Sequence, residues 1–509
     1  MSARGFQKIL VANRGEIAVR IMQGLREMGI ATVAVYSDID RSALHVMVAD
    51  EAYPIGPAPA AESYLNAGAV IDAARRSGAE AIHPGYGFLA ENAGFAAEVE
   101  AAGLAFIGPT PESIELMGDK LAARRRMIQS GVPVIPGTEE AVEDPAAAVA
   151  AARRIGYPVL LKAAAGGGGK GMRVVRSEDQ IAGALRQTRG EAKSAFGNGA
   201  IYIERFVERP KHIEVQVLGD GEGHAIHLYE RECSVQRRHQ KVIEESPSPS
   251  LTAELRESIG AAAVRTAEAI AYRGAGTVEF ILSPSGEFFF LEMNTRLQVE
   301  HPITEMVTGT DLVRAQIAIA SAAGLPYRQG DVHQRGWALE FRIYAEDPAR
   351  NFAPSIGRIT SMVPPVGPGI RLDSGVYEGF AVPIHYDPLL AKLIVWAEDR
   401  EFAIARAQRA LSDFTLHGPG HNIPFHLWVL DQPEFREGSY TTGFVEERFS
   451  AEQILRPLAA TDRDALLAAA ALFEESRRKT GGDDDGRAAA SPAVSPWRLA
   501  ALRAMTGRS

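Results

Sequence analysis

The chain has 509 residues, of which 46% are hydrophobic, 23% charged and 7% aromatic. This composition is globular, its length predicts about three domains, and it gives no support to collagen-like, coiled-coil or wholly disordered readings. With 54 basic and 64 acidic residues the formal charge is −10, which argues against a nucleic-acid partner, because such proteins usually present a basic face.

The single cysteine, Cys233, excludes an internal disulfide or a cysteine-cluster metal site and points to a reducing compartment. The short polar stretch 1–7 runs straight into a strand pattern, so no signal peptide is predicted. No uncharged apolar run reaches membrane-spanning length. The expectation is a soluble, cytoplasmic protein with no membrane association.

Residues 8–12 contain the apolar run Ile9, Leu10 and Val11. Ile17, Ile21, Leu25 and Met28 then fall on one helical face, and Gly29 closes the helix. Strands are predicted over 32–36, 79–83 and 104–107. Strand alternating with helix implies a parallel sheet with right-handed crossovers. The first turn, Ala12-Asn13-Arg14-Gly15-Glu16, lacks the dinucleotide fingerprint, so NAD binding is not supported.

A strand over 158–162 leads into a loop with four successive glycines, Gly166, Gly167, Gly168 and Gly169, and a strand resumes over 172–175. Such glycines let backbone N–H groups approach a phosphate. A Walker A loop is excluded because Lys170 is followed by Gly171. A plain surface hairpin is the competing reading. Further strands are predicted over 201–206, 212–218 and 225–230, the last after a hairpin signal at 220–223. A helix follows over 255–272, with Thr252 as N-cap and Gly274 beyond its end. Strands 277–282 and 287–293 form a hairpin across Pro284-Ser285. From about residue 336, strands over 338–344, 358–362, 369–373 and 392–396 and a helix over 401–414 read as a third, α+β lobe. After about residue 450 the Gly/Asp and Ala/Ser/Pro stretches read as a flexible linker.

Four patterns carry chemistry. The glycine loop is the first. In the second, a two-residue turn at Pro284-Ser285 sets Glu279 opposite Phe290, with Glu292 and Asn294 continuing that face beside Phe288 and Phe290. Two carboxylates and an amide oxygen suit a magnesium ion held with nucleotide phosphates; a solvated strand face with scattered acids is the competing reading, against which the two phenylalanines count. Third, the segment 231–241 concentrates basic residues around His239; this is an anion pocket or, from charge alone, an ordinary charged loop. Fourth, Arg296, Gln298 and Glu300 alternate, so an extended segment projects them to one side. There the arginine fork fits a small oxyanion such as bicarbonate, and Glu300 can accept a proton. Lys120 and Lys162 are candidate phosphate contacts, His212 is a core or ligand residue, and Cys233 is a packing residue.

The motifs KILVANRGEIAVRI, HPGYGFLAEN, GYPVLLKAAAGGGGKGM, CSVQRRHQKVIEESP, EMNTRLQVEHPITE and EFRIYAEDP resemble those of the biotin carboxylases, members of the ATP-grasp superfamily, over roughly residues 5–449. The resemblance implies an α/β and α+β multidomain fold. It has a Rossmann-like pre-ATP-grasp domain (1–115), an ATP-grasp domain (116–333, with a lid at about 135–206), a biotin carboxylase C-terminal domain (334–449) and a partly flexible tail (450–509). It implies that Lys120, Lys162, Gly167, Gly168, Gly169, Met172, Glu204, Val207, His212 and Gln236 contact ATP. Glu279, Glu292 and Asn294 hold Mg2+ or Mn2+. Lys241, Arg296, Gln298 and Val299 bind bicarbonate, with Glu300 as general base. Arg342 stabilises the biotin enolate, and Tyr86 lies beside the biotin. The implied reaction forms carboxyphosphate from bicarbonate and ATP and then carboxylates biotin. Departures are confined to the lid and the adenine edge: Ala165 stands where glycine is common, Lys170 where arginine is common, and Arg205 and Phe206 where lysine and tyrosine are.

No biotinyl sequence is present, since Ala504-Met505-Thr506 lacks the lysine. The implied partners are therefore a separate biotin carboxyl carrier protein and a carboxyltransferase subunit, with the chain as a homodimer. The stretch Ser495-Pro496-Trp497-Arg498-Leu499 is either a docking peptide or an amphipathic turn in a disordered end. Rival readings are another ATP-grasp carboxylate-amine ligase, the carboxylase subunit of a pyruvate-type or other biotin-dependent enzyme, and a catalytically dead nucleotide-binding scaffold. Competent residues at every metal and base position argue against the last.

Overall fold

The structure, a computed structural model, describes residues 5–142, 144–164, 171–454, 465, 467–472 and 475. Gly166, Gly167, Gly168, Gly169 and Lys170 lie outside these residues, as do the linker at 481–496 and the stretch from Ser495 to Leu499. The chain divides into two units, Met1–Ala451 and Glu452–Ser509. In the second, residues 467–472 are helical.

The first unit opens with a five-stranded parallel sheet: β1 (Lys8–Val11), β2 (Ala31–Ser37), β3 (Glu51–Gly56), β4 (Ala81–His83) and β5 (Ala105–Phe106), in the order β3-β2-β1-β4-β5. Ile9, Leu10 and Val11 are completely buried, as expected of a central strand covered on both faces. Helix Gly15–Glu27 buries Ile17, Ile21 and Leu25 and ends at Gly29, where φ is +71°. Met28, predicted on the buried face, sits at the C-cap and is 36% exposed.

Strands β6 (Val159–Ala163), β7 (Met172–Val175) and β8 (Ile201–Arg205) form a small antiparallel sheet in the order β7-β6-β8. The main scaffold is an eight-stranded antiparallel sheet. Its strands β9 (Lys211–Asp220), β10 (Ala225–Arg237), β11 (Gln240–Ser246), β12 (Arg273–Leu282), β13 (Phe288–Asn294) and β14 (Trp337–Tyr344) are ordered β13-β12-β9-β10-β11-β14. Strands Leu389–Ala397 and Ile370–Ser374 then follow at the far edge. Three of the four strands predicted for a third lobe therefore join this sheet, with Ile243 paired to Phe341 and Ser246 to Ala338 across the predicted boundary, while the stretch predicted over 358–362 divides between two small two-stranded sheets.

Three local expectations are corrected. The helix capped by Thr252 runs Ala253–Glu268 and not to residue 272. Ala271 adopts a positive φ of 43°, which ends the helical path, so Gly274 lies inside β12. The segment 231–241 is not a loop. It spans the end of β10 and the start of β11, turning at Arg238 and His239, both in the left-handed region. The turn between β12 and β13 is longer than two residues: Gly286 has φ +85°, and the Ser283 N–H donates to the Glu287 carbonyl at 2.8 Å. The register therefore shifts, and an irregularity beside Phe290 shifts it again, placing Glu279 directly opposite Glu292 while Phe290 pairs with Phe280. Phe290 thus joins the core with Val278, Phe280 and Met293 and does not share the acids' face.

Candidate active site

The site is built on one face of the eight-stranded sheet. On β9 the pattern His212-Ile213-Glu214-Val215-Gln216-Val217 sends the apolar residues into the core and the polar ones to the opposite face. Burying that polar face demands full pairing, and Arg231 of β10 supplies much of it. Its fully buried guanidinium donates all five N–H groups: to Glu214, to Gln216 Oε1 at 2.8 Å, to Thr304 Oγ1 and Gln298 Oε1 at 3.0 Å, and to Thr277 Oγ1 at 3.1 Å.

Lys241, at the start of β11, is the hub. Its ammonium donates to Glu214, to Glu279 Oε1 at 2.8 Å and to Glu300 Oε1 at 2.8 Å. Burial alone would favour the neutral amine, but Glu214, Glu279 and Glu300 outweigh it and hold the lysine charged, with its pKa well above the usual value. All three ammonium protons are engaged, so an anion reaches Lys241 by displacing a carboxylate.

Glu300 forms the N-cap of helix His301–Thr308. Its other oxygen, Oε2, accepts from Arg342 at 3.0 Å, and Arg342 Nε donates to Glu244 Oε1 at 2.7 Å. Burial raises the Glu300 pKa, but Lys241, Arg342 and Arg231 together drive it far below the usual carboxylate range. Glu244 behaves oppositely. Burial pushes it up to about 7 against the pull of Arg342, and the Glu300 charge adds to the rise.

Beyond Lys241 lies the acid pair. Glu279 Oε1 accepts from Asn294 Nδ2 at 2.8 Å and Gln298 Nε2 at 2.9 Å. His212 Nε2 lies 2.9 Å from Glu279 Oε2, close enough for an ion pair though not aligned as a hydrogen bond. Glu292 faces Glu279, and among the described residues it has neither a hydrogen bond nor an ion pair. Burial and then the Glu279 charge raise its pKa. Two facing carboxyl groups, one of them unpartnered, form a donor set for a hard divalent cation, so the residues present fit Mg2+ or Mn2+. The Asn294 oxygen accepts from Arg296 at 3.0 Å.

Glu292, Asn294, Arg296, Lys120 and Glu91 line a cavity of about 370 Å³. Lys120 opens helix Lys120–Gln129; burial lowers its pKa and Glu292 opposes that shift. Lys162 on β6 is 6% exposed and donates to Glu204 Oε1 at 3.0 Å. Burial opposes its charge, but Glu204 and Tyr202 outweigh that and raise its pKa. Met172 pairs with Lys162 across the small sheet. Gln236 donates to His212 Nδ1 and to the Cys233 carbonyl, each at 2.9 Å.

Two further candidates lie behind this cluster. The Tyr86 hydroxyl donates to Glu16, and the Val299 carbonyl accepts from Lys392 at 2.9 Å. Segment 295–300 is not a strand, so Arg296, Gln298 and Glu300 do not project to one side by alternation. Arg296 turns to Glu91 at 2.8 Å, while Gln298 and Glu300 face the Lys241 network. Val207 lies half-buried between β8 and β9, without a hydrogen bond to the cluster. Gly167, Gly168 and Gly169 fall outside the described residues.

Comparison with known proteins places this arrangement. The chain matches the biotin carboxylase N-terminal domain over residues 5–114, the carbamoyl-phosphate synthase L chain ATP binding domain over 119–328, and the biotin carboxylase C-terminal domain over 340–447. It is 54% identical over 442 residues to the biotin carboxylase of Nostoc sp., covering 87% of this chain and 99% of the relative. The chain belongs to the biotin carboxylase family. The crystal structure of the Campylobacter jejuni biotin carboxylase in complex with β-γ-ATP superposes with a TM-score of 0.85 at 46% identity, covering 87% of this chain and 99% of that one. The biotin carboxylase domain dimer of Hydrogenobacter thermophilus 2-oxoglutarate carboxylase, in complex with MgADP, ADP and bicarbonate, gives 0.84 at 47%, covering 90% and 100%.

In this biotin carboxylase site, Glu16, Glu91 and Glu244 lie inside the motifs that carried the resemblance without being given a role there, and Glu214 and Lys392 lie outside all of them. Two carry a readable signal. Glu214 sits in the polar alternation 212, 214, 216 of an otherwise apolar strand, and Lys392 is the only charged residue of the strand Leu389–Ala397. The roles of Glu16, Glu91 and Glu244 become visible only through their partners.

Proposed function

We propose that this protein is the biotin carboxylase component of a biotin-dependent acyl-CoA carboxylase. It uses ATP, bicarbonate and Mg2+ or Mn2+ to carboxylate biotin presented by a separate carrier protein, from which a carboxyltransferase subunit takes the carboxyl group. The observation that carries the reading is the Lys241 hub, which joins the acid pair Glu279/Glu292, at the cavity with Lys120, to the Glu300/Arg342 pair. A phosphoryl donor bound at one end and a small oxyanion at the other are then adjacent. We assign ATP-grasp chemistry to residues 116–333, with flanking domains at 1–115 and 334–449, and place the protein in the cytoplasm as a homodimer. The described residues contain no helix long and apolar enough to cross a membrane.

In this reading Lys120 and Lys162 meet the ATP phosphates, and Met172, Glu204, Val207, His212, Gln236, Gly167, Gly168 and Gly169 are the other nucleotide contacts. Glu279, Glu292 and Asn294 hold the metal, which when bound neutralises charge on the phosphates. Arg296, Lys241, Gln298 and Val299 seat bicarbonate. Glu300 takes the bicarbonate proton, and a carbonate oxygen attacks the γ-phosphorus as its bond to the ADP oxygen breaks. Glu300 is a weak base while both Lys241 and Arg342 hold it; an anion that draws Lys241 away restores its basicity. Carboxyphosphate then yields carbon dioxide and phosphate. Phosphate removes the biotin N1′ proton, and Arg342 steadies the enolate that captures carbon dioxide beside Tyr86.

The test is ADP release by purified protein with Mg-ATP. Dependence on bicarbonate and stimulation by free biotin are expected. Stimulation by an amino acid or amine without bicarbonate identifies a carboxylate-amine ligase and overturns the reading.

A further inference from the structure

Lys392 is completely buried in the strand Leu389–Ala397, where every neighbour in sequence is apolar. A buried ammonium is costly unless paired; the buried Glu340 of β14 attracts it without hydrogen-bonding to it. The contacts of Lys392 are specific. Nζ donates to the Val299 carbonyl at 2.9 Å and lies 3.1 Å from Glu16 Oε2 and 3.7 Å from Asp373 Oδ2. The other Glu16 oxygen accepts the Tyr86 hydroxyl, and the ammonium is 6.0 Å from the Tyr86 ring centre. Asp373 already accepts from Nε and Nη2 of Arg371. The contacts belonging to Lys392 alone are therefore the Val299 carbonyl and Glu16.

We propose that Lys392 is a positioning residue that holds two substrate-facing walls of the site in register. Through the Val299 carbonyl it fixes the peptide joining Val299 to Glu300. Through Glu16 it fixes the Tyr86 hydroxyl. One buried cation thereby sets the distance between the point where bicarbonate loses its proton and the point where biotin receives carbon dioxide. This rests on the bicarbonate and biotin assignments above.

The experiment measures separate KM values for ATP, bicarbonate and free biotin by ADP release, using Lys392→Met, Glu16→Gln and Tyr86→Phe, with folding followed by circular dichroism and thermal melting. Lys392→Met is expected to raise the KM for bicarbonate and for biotin by about tenfold or more, with the ATP KM within about twofold. Glu16→Gln weakens the Tyr86 arm and one of the ion pairs of Lys392 but leaves the Val299 carbonyl contact in place, so the biotin KM is expected to rise more than the bicarbonate KM. A folded Lys392→Met protein with both KM values unchanged overturns the proposal, as does a parallel rise in all three, which marks general loosening. If Lys392→Met does not fold, Lys392→Gln is read by the same outcomes, with the Glu16→Gln/Tyr86→Phe double variant reporting the Tyr86 arm: a biotin KM equal to that of either single variant supports the proposal, and additive or absent rises overturn it. Failure of the underlying reading is distinct, because the unsubstituted protein then shows no bicarbonate-dependent ADP release.

Discussion

Glu300→Gln separates the chemistry of the site from its architecture. The substitution keeps the shape and removes one negative charge from a position that is 1% exposed. Neither neighbouring cation is orphaned, since Lys241 keeps Glu214 and Glu279 and Arg342 keeps Glu244. Of its two charge-assisted hydrogen bonds, the amide oxygen can keep one, and the other is lost. At about 1.5–3 kcal/mol for a hydrogen bond to a charged group, the variant is less stable by about that amount and still folds. Glu244 offsets part of this. Without the Glu300 charge its raised pKa falls back, and it ionises more readily beside Arg342. Catalysis has no such compensation. A positioned base contributes roughly 10²–10⁴-fold, so turnover is expected to fall by at least about 100-fold. The affinity for Mg-ATP stays within about twofold, because Glu300 pairs with neither Lys120 nor Lys162. The assay is coupled ADP release against a bicarbonate titration, with Mg-ATP binding measured by calorimetry. A folded variant whose turnover is within about threefold of the parent refutes the role of Glu300 as base.

Lys162→Met leaves Glu204 buried and unpaired, so a stability loss of about 3–5 kcal/mol and weaker ATP binding are expected. Adding Glu204→Gln restores the denaturation midpoint but not the affinity, and recovery of both would show that Lys162 is purely structural. The Glu292 carboxyl has no hydrogen-bond partner among the described residues and opposes Glu279, so Glu292→Gln is expected to leave metal-free thermal stability unchanged or higher, while the Mg2+ concentration for half-maximal activity rises about tenfold or more; an unchanged Mg2+ requirement counts against the metal assignment. His45 is buried with Nε2 on the Val35 carbonyl at 3.1 Å, and burial lowers its pKa to about 4. Its folded pKa lies below its unfolded value of about 6.5, so the stability it contributes is complete above that value and is lost as pH falls toward 4. His45→Gln is expected to flatten the fall in melting temperature over that window, and an identical pH profile in parent and variant would contradict the burial argument.

How much of this was legible before folding depends on the range of the interaction. Strand and helix positions follow from periods of 2 and 3.6 residues, and those carried β1, β9, β14 and the helix Gly15–Glu27 through to the structure with shifts of a residue or two. The run from Glu292 to Glu300 was visible as chemistry because its members are close in sequence. The hairpin partner of Glu292 was found by a register that the structure corrects. The two acids still converge, but through a longer turn and an irregularity beside Phe290, features that side-chain alternation does not encode.

Local sequence by itself determined which elements form and which short stretches hold acids, amides and cations side by side. Tertiary structure alone decided how those charges pair. Glu214, Arg231, Lys241, Glu300 and Arg342 come from four strands and a helix start, and Lys392 reaches across to Glu16 from the opposite end of the folded unit's sequence. Coulombic pairing depends on distance in space and on exclusion of water, and both exist only once the eight-stranded sheet has closed over the site.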